Sequence, residues 1–297
     1  MMNQRLWSKI AVNISASTGT VFTARREQSV GGGCINTAHV LEDDGRRYFV
    51  KLNVAARLAM FTAEALGLAE ILRANAIRAP APVCYGTAGD QAYLVLEHIT
   101  LGHGTPASQE LLGQQLAAMH RVTRPRYGWT RDNTIGATPQ SNTECDGWVE
   151  FWRTQRLGFQ LQRAAGNGYR GRLQDQGEQL MTALPVLLSG YTPSAALLHG
   201  DLWSGNYGFD EYGAPVIFDP ALYYGDRETD LAMTELFGGF SPHFYHAYQE
   251  AYPLDAGYRQ RKTLYNLYHV LNHLNLFGGG YLHQAEHLIG HLLSELG

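Results

Sequence analysis

Cysteine is scarce in this chain. The three cysteines, Cys34, Cys84 and Cys145, are odd in number and widely spaced, which excludes a disulfide framework and a zinc site built from paired cysteines. The twelve histidines are also scattered, without the spacing of metal ligands. The pattern predicts a reduced, cytoplasmic protein without a zinc site.

Long apolar runs, repeats and a strong charge of either sign are also lacking. No run approaches the ~20 apolar residues that a membrane helix needs. The amino terminus lacks the apolar stretch and the small-residue cleavage site of a secretory signal. The net charge of −4 argues against nucleic acid or an anionic membrane as a partner. We therefore expect neither a membrane nor a nucleic acid among the partners.

The first part of the chain, residues 1–98, is predicted to form a small sheet lobe. The run HVLEDDGRRYFVKL contains two β-rich segments around Asp43-Asp44-Gly45, which predicts a hairpin. The run RLAMFTAEALGLAEILRANAI carries an apolar stripe at helical spacing. Two more strands are expected around Gly89-Asp90, which gives the order strand, strand, helix, strand, strand.

The rest of the chain, residues 99–297, is predicted to form a larger helical lobe. Six runs have helical patterning, and residues 124–146 are predicted to be a long loop because they are rich in Thr, Asn, Gly and Pro. A composition of 45% hydrophobic and 17% charged residues allows a sizeable core. The sequence therefore predicts an α+β fold of two lobes, with a ligand in the crevice between them.

The run LLHGDLWSGNYGF concentrates polar groups after a short apolar strand. Asp201 and Asn206 have the spacing of the kinase catalytic loop His-x-Asp-x-x-x-x-Asn, and Asp219 follows at the end of VIFD. One carboxylate can accept the proton of a substrate hydroxyl, while the other and the amide oxygen suit Mg²⁺. Each residue alone is typical of a turn, but their joint spacing predicts a phosphoryl-transfer site.

A cation and a backbone cradle for phosphate groups lie upstream. Lys51 ends the strand YFVK, and Glu64 on the following helix can pair with it; surface charges are the alternative interpretation for both. A glycine-rich turn precedes Lys51 by about twenty residues, and its N–H groups can turn toward phosphate oxygens. This turn consists of Gly31, Gly32, Gly33 and Cys34.

Two other polar residues are predicted to have structural roles. Asp230, near a predicted helix start, is expected to accept hydrogen bonds from backbone amides of the catalytic loop. His120, at the end of AAMHRV, is expected to be a hydrogen-bonded histidine at a helix end rather than a ligand.

These motifs resemble the fructosamine-3-kinase, or ketosamine-3-kinase, family. The resemblance rests on HGDLWSGN, FDPALYYGDRETDLAMTELFGGF and LYHVLNHLNLFG, and extends upstream to GGGCINTAHV, YFVKLN, MFTAEALGL and YLVLEHI. The pattern HGDxxxxN alone is shared with aminoglycoside phosphotransferases and choline kinases, whereas the tryptophan within it and the YGDRE run make the match specific. The similarity covers nearly the whole chain.

The resemblance implies a protein-kinase-like fold and ATP-dependent phosphorylation of the sugar 3-hydroxyl of ketosamines, in a deglycation step that repairs glycated amines. Carried over by position, Asp201 looks like the catalytic base, and Asn206 and Asp219 look like ligands of Mg²⁺. Lys51 and Glu64 look like the pair that positions the phosphates. The hinge whose backbone meets adenine is placed at Glu97, His98 and Ile99.

Four residues are candidates for contact with the ketosamine. Trp203 lies between the base and a metal ligand, where an indole face can pack on sugar C–H groups; its alternative is packing beneath the loop. His273 lies on a polar helical stripe, and its alternative is an ordinary hydrogen-bonded helix histidine. Tyr224 and Glu228 of the YGDRE run complete the set.

The sequence departs from protein kinases after the catalytic loop. Asp-Pro-Ala stands where protein kinases have Asp-Phe-Gly, and the short stretch between Asp219 and Asp230 leaves no room for a long activation loop. The acceptor is therefore expected to be a small molecule or an exposed adduct, with ribulosamine, erythrulosamine and fructosamine all open. Two alternatives remain: an aminoglycoside- or choline-type kinase, and a nucleotide-binding pseudokinase scaffold.

Cys34 is a candidate for redox sensitivity. It closes the glycine run, where backbone N–H groups and Lys51 would favour the thiolate, the form that oxidises. A disulfide between the Cys34 residues of two molecules, or a small thiol on Cys34, would distort the phosphate cradle. The alternative is a small residue that fits a tight turn.

Overall fold

A computed structural model describes residues 2–31 and 35–295. Gly32, Gly33 and Cys34 of the predicted phosphate cradle lie outside these ranges. The strands are β1 (Arg26–Val30), β2 (Thr37–Asp43), β3 (Arg46–Val54), β4 (Pro82–Ala88), β5 (Gln91–Glu97), β6 (Thr123–Arg124), β7 (Asn133–Ile135), β8 (Thr138–Gln140), β9 (Ala195–Leu198), β10 (Tyr207–Phe209), β11 (Pro215–Ile217) and β12 (Tyr223–Gly225). The helices are α1 (Met2–Thr18), α2 (Leu58–Ala74), α3 (Pro106–His120), α4 (Trp148–Phe151), α5 (Gly158–Gly166), α6 (Arg172–Leu187), α7 (Glu228–Leu236), α8 (Pro242–Ala251), α9 (Tyr258–Phe277) and α10 (Leu282–Ser294).

The chain forms two compact units whose limits differ from the predicted boundary after residue 98. The first unit comprises Met1–Gly104 and Gly208–Asp219, and the second comprises Thr105–Tyr207 and Pro220–Gly297. The segment Gly208–Asp219 belongs with the first unit because backbone hydrogen bonds hold it there. The N–H of Ile217 donates to the Arg78 carbonyl at 3.0 Å, and the N–H of Gly102 donates to the Phe209 carbonyl at 2.8 Å.

The first unit is built on an antiparallel sheet with strand order β1-β2-β3-β5-β4. The predicted hairpin is confirmed as β2 and β3, and its turn uses positive φ angles of 40° at Asp44 and 88° at Gly45. The predicted helix is confirmed as α2. All four strand pairings of this sheet are antiparallel.

Helix α1 is a correction to the predicted order, which began with strands. Its apolar residues recur at helical spacing, and Trp7, Ile10 and Ile14 pack in one core with Leu41 and Val95 of the sheet. The helix therefore covers a face of the sheet that would otherwise expose apolar side chains to water.

The second unit is mainly helical, with a small sheet of order β12-β9-β6. Residues 124–146, predicted as a long loop, contain the last residue of β6 and the whole of β7 and β8, which form an antiparallel hairpin. The predicted helix from Trp148 is interrupted by a π-helical turn at Trp152–Leu157, and α10 is a helix that the sequence analysis did not predict. No helix within the described ranges has the length and apolarity to cross a membrane.

Candidate active-site residues

The first unit contains three charged side chains that we call the lysine centre: Lys51, Glu64 and Asp219. Lys51 lies on β3 opposite Leu94 of β5, and its side chain is only 7% exposed. Its ammonium group donates to Glu64 Oε1 at 2.6 Å and also to Asp219 Oδ1. The predicted pairing of Lys51 with Glu64 is confirmed, and the structure adds Asp219 to it.

Burial and charge oppose each other in the lysine centre. Burial alone would lower the pKa of Lys51, but the carboxylates of Asp219 and Glu64 outweigh it and raise that pKa, so Lys51 is protonated. Burial raises the pKa of Glu64, and Lys51 offsets part of this rise. The centre is thus a buried cation with two carboxylates around it. A polyanion can reach this cation by displacing the carboxylate of Asp219, which is more exposed than that of Glu64.

Asp219 has an unusual backbone conformation. Its φ is +60°, a left-handed value that costs a residue with a Cβ about 1–3 kcal/mol. The other non-glycine residues with positive φ in the described ranges are Asp44, in a hairpin turn, and Asn75, at a helix C-cap. Asp219 ends the segment after β11 and has a side chain that is 48% exposed. Strain of this kind is typical of functional sites.

The remaining predicted nucleotide contacts lie at two places in the first unit. Gly31 is exposed at the end of β1, and a Cβ added to it would meet no atom within 4 Å. Glu97 ends β5, and its carboxylate accepts from Arg78 at 2.9 Å. Burial, followed by the charge of Arg47, lowers the pKa of His98. His98 and Ile99 follow the strand in a half-buried stretch without regular secondary structure.

The predicted catalytic loop, residues 199–206, lies in the second unit and follows the fully buried strand β9. Asp230 on α7 accepts hydrogen bonds from the N–H of His199 at 2.7 Å and of Gly200 at 2.8 Å. The predicted structural role of Asp230 is therefore confirmed. His120 has no exposed surface and its ring bonds to Asp230 and Tyr248, which confirms its prediction too.

The two polar residues of the loop are joined by hydrogen bonds. The amide nitrogen of Asn206 donates to the Asp201 carbonyl at 2.8 Å and lies 3.4 Å from Asp201 Oδ2. Asn206 is 7% exposed. Oδ1 is the atom of Asn206 that a cation could bind, because an amide nitrogen is a hydrogen-bond donor with no available lone pair.

Trp203 and His273 are the substrate candidates with accessible surface. Trp203 is 40% exposed, and its ring lies over Gly205, where an added Cβ would come within 2.3 Å of it. His273 is partly buried, which lowers its pKa, and its Nδ1 donates to the His269 carbonyl at 2.8 Å. The ring of His273 lies 4.8 Å from the ring of Phe237. Both side chains stay candidates for contact with an acceptor.

The other two substrate candidates, Tyr224 and Glu228, are buried. Tyr224 is 2% exposed and lies on β12 with the guanidinium of Arg124 over its ring at 4.5 Å. Glu228 has no exposed surface and accepts two hydrogen bonds from Arg261, at 2.7 and 2.9 Å. These positions favour structural roles and argue against direct contact with a substrate.

Asp226, two residues before Glu228, is a buried acid that the sequence analysis did not single out. Its carboxylate accepts from the Tyr265 hydroxyl at 2.5 Å, the Tyr191 hydroxyl at 3.1 Å and the Glu228 N–H at 3.0 Å. Burial, and then the charge of Glu228, raise the pKa of Asp226 from its ordinary value near 3.8 to about 7.

We expect Asp226 to make the protein less stable as the pH rises. A carboxyl with a higher pKa in the folded chain stabilises it fully below the unfolded pKa, and this contribution is lost as the pH rises through about 7. The free energy of unfolding of wild type, relative to Asp226→Asn, should fall by about 1 kcal/mol per pH unit between pH 5 and 7. Urea denaturation at three pH values measures this, and a pH-independent difference would contradict it.

The residues predicted to bind Mg²⁺ supply the right kind of atoms. Asn206 Oδ1 and the carboxylate of Asp219 are hard oxygen donors, which Mg²⁺ prefers. Within the described ranges no three His, Cys, Asp or Glu side chains are grouped as a metal site. A Mg²⁺ that arrives on a nucleotide keeps phosphate and water ligands and needs only one or two protein oxygens, so the donors present fit it.

Known proteins are similar to this chain along nearly its whole length. The fructosamine kinase family model matches residues 6–295. A Synechocystis protein named probable ketoamine kinase is 49% identical over 284 residues, which cover 95% of both chains. The chloroplastic protein-ribulosamine 3-kinase of Arabidopsis thaliana is 43% identical over 273 residues, which cover 90% of this chain and 82% of that protein.

Solved structures give the same fold. The crystal structure of a proposed fructosamine-3-kinase from Haemophilus somnus has a TM-score of 0.90 and 28% identity, covering 98% of this chain and 99% of that one. An aminoglycoside phosphotransferase has a TM-score of 0.61 at 13% identity, covering 96% and 98%, and shares the fold alone. The predicted protein-kinase-like α+β fold is thereby confirmed.

Proposed function

The chain belongs to the fructosamine kinase family, and from this premise we propose that it transfers the γ-phosphoryl group of ATP to the sugar 3-hydroxyl of a ketosamine. The choice of a ketosamine as the acceptor rests on the identity of 43–49% with relatives named for ketoamines and ribulosamine. The chemistry is supported by the presence of Lys51, Asp201, Asn206 and Asp219 in the motifs described above. Removal of the phosphorylated sugar would make the reaction a deglycation step.

Asp201 is the base of the proposed reaction. Its carboxylate accepts the proton of the 3-hydroxyl as that oxygen forms a bond to the γ-phosphorus. The bond between the γ-phosphorus and the bridging oxygen breaks, and ADP leaves with the electron pair. Asn206 fixes the loop by donating to the Asp201 carbonyl, so the carboxylate is held in position before the substrate arrives.

The lysine centre is the phosphate-binding part of the proposal. Lys51 is protonated and buried, so it binds phosphate oxygens with little competition from water. Glu64 holds the ammonium group in place at 2.6 Å. Asn206 and Asp219 would hold Mg²⁺, which when bound would neutralise charge on the triphosphate.

Trp203 and His273 are the proposed contacts with the acceptor. We expect Trp203→Leu and His273→Ala each to raise the KM for the ketosamine about 10-fold, a loss of about 1.4 kcal/mol, and to leave the KM for ATP unchanged. Steady-state kinetics with each substrate varied in turn gives both values. Tyr212→Leu is the control, because Tyr212 is an aromatic residue that is 86% exposed in the first unit. An unchanged ketosamine KM with a lowered Tm would assign the two residues to packing.

A panel of acceptors tests the proposed function. Ribulosamine, erythrulosamine, fructosamine, an aminoglycoside and choline are compared by the ADP that each causes to be released. The proposal expects the ketosamines to be the preferred acceptors. Release with the aminoglycoside or choline alone would favour another small-alcohol kinase, and no release with any acceptor would favour a pseudokinase.

Three other expectations stay predictions. They are the cytoplasmic location, the absence of nucleic-acid and membrane partners, and the oxidation or self-association through Cys34.

A further inference from the structure

Arg156 is a buried cation in the second unit that the proposed mechanism does not use. It has no exposed surface and lies in the π-helical turn Trp152–Leu157. Such turns are rare, because they replace the regular hydrogen bonds of a helix, and they are frequent at functional sites. A buried charge in a π-helical turn therefore calls for a role beyond filling the core.

The surroundings of Arg156 are aromatic and neutral. Its guanidinium lies 4.0 Å from the ring centre of Tyr223, 4.6 Å from Phe151 and 5.7 Å from Tyr268. Its terminal nitrogens donate to the carbonyls of Ser141 and Gln155 and to the side-chain oxygen of Asn142. Aromatic faces attract a cation strongly when water is excluded, so these contacts hold the guanidinium and the rings in one arrangement.

The nearest of these rings, Tyr223, also supports the catalytic loop. Tyr223 pairs with Leu198, the last residue before the loop. A Cβ added to Gly200 would lie 3.4 Å from Cδ1 of Tyr223 and 2.1 Å from the Ala221 carbonyl oxygen. The segment of Ala221 to Tyr223 is thus the surface against which Gly200, the neighbour of Asp201, is packed.

A second set of contacts joins Arg156 to the same segment. Asn142, which accepts from Arg156 at 2.8 Å, donates to Asn133 at 3.0 Å. Asn133 in turn donates to the Leu222 carbonyl at 2.7 Å. The ring of Tyr223 and the carbonyl of Leu222 are therefore both tied to the guanidinium, one by stacking and one by hydrogen bonds.

We propose that Arg156 is a positioning residue for phosphoryl transfer, because it fixes Tyr223 against Gly200 and so sets the direction of the Asp201 carboxylate. This inference rests on the proposed function, in which Asp201 is the base. Arg156 has no exposed surface, so in this proposal it acts through Tyr223 and not by contact with the substrate. Its loss should misplace the base slightly, and a misplacement of about 1 Å can cost about 100-fold in rate.

The first test compares Arg156→Met with Arg153→Met. Arg153 is in the same π-helical turn, but its side chain bonds Glu150 and the Met181 carbonyl, so its variant controls for changes to the helix. At a temperature where both are folded by circular dichroism, Arg156→Met should lose about 10- to 100-fold in kcat and keep the KM for ATP and ketosamine. Arg156→Lys keeps the charge but not the planar fork, and its kcat should fall between those of Arg156→Met and the parent.

A double-mutant cycle tests the route through Tyr223. Tyr223→Leu removes the ring, whereas Tyr223→Phe keeps the ring beside the Arg156 guanidinium and removes the hydroxyl, which interacts with both Thr229 and Arg156. We expect Tyr223→Leu to lower kcat as Arg156→Met does, the double variant to lose no more than either single variant, and Tyr223→Phe to lose less than Tyr223→Leu. Multiplied losses in the double variant would overturn the route, because they would show independent effects.

Different results would contradict the role of Arg156 and the proposed function. A parent protein that releases no ADP with any ketosamine contradicts the function itself. An active parent with Arg156→Met as active as Arg153→Met contradicts only the role of Arg156. If Arg156→Met does not fold, Arg156→Lys with the kcat of the parent gives the same negative answer.

Discussion

Asp201→Asn is expected to lower kcat by about 10²- to 10⁴-fold and to leave the affinity for ATP near that of the parent. A carboxamide has the size of the carboxylate but cannot take the proton of the acceptor hydroxyl, and removal of a general base costs this much. The proposed phosphate contact Lys51 and its partner Glu64 lie on other elements and should remain. Single-turnover kinetics together with nucleotide binding measured by calorimetry separates the two quantities.

The control for this variant is Asp175→Asn. Asp175 lies in the first turn of α6 on the surface of the same unit, so its neutralisation changes the net charge equally without touching the loop. We expect its kcat to stay within about twofold of the parent, as for most surface changes. An Asp201→Asn variant with a kcat near that of the parent would remove Asp201 from the mechanism.

Lys51→Met is expected to reduce both activity and stability. It removes the proposed phosphate contact, so kcat/KM for ATP should fall by at least about 100-fold. It also leaves the Glu64 carboxylate buried without its cation, which should lower the free energy of unfolding by about 3 kcal/mol. Kinetics and urea denaturation of one protein preparation give the two effects.

The double variant Lys51→Met with Glu64→Gln separates these effects. Glutamine removes the orphaned charge, so stability should return most of the way, while activity should stay low because the phosphate contact is still missing. If activity returned together with stability, Lys51 would be a structural residue only. If the single variant kept its activity, the lysine centre would not bind phosphate.

Much of the fold could be predicted from local patterns. The hairpin β2–β3 and helix α2 follow from turn residues and from apolar spacing over short stretches, and both are confirmed. Helices α1 and α10 were missed although they carry the same signal. In α1 the apolar residues Trp7, Ile10 and Ile14 recur at helical spacing, and in α10 Ala285, Ile289 and Leu292 are buried in the same way.

The unit boundary could not be predicted because it depends on contacts between distant segments. The segment Gly208–Asp219 follows the catalytic loop in sequence, yet it belongs with the first unit through its hydrogen bonds to Gly102 and Arg78. Patterns along the chain describe helices and strands, but they do not show which of two units a short hairpin joins.

The residues of the candidate site also fall into those that local sequence patterns could identify and those that such patterns could not. Lys51, Glu64, Asp201, Asn206 and Asp219 were identified by spacing, because the kinase motifs lie within short stretches of sequence. Asp226 and Arg156 were not identified, since their importance depends on partners far along the chain: Tyr265 for the first, and Tyr223 and Tyr268 for the second. The burial of Tyr224 and Glu228 was also invisible in the motif that suggested them.

The most direct test of the central claim is the product formed from ATP, Mg²⁺ and a ribulosamine. ADP should appear in equal amount to a new phosphate ester, and phosphorus–proton NMR should place that ester on the 3-hydroxyl of the sugar. ADP formation without a phosphorylated sugar, or an ester on a different hydroxyl, would contradict the assignment of this chain as a ketosamine 3-kinase.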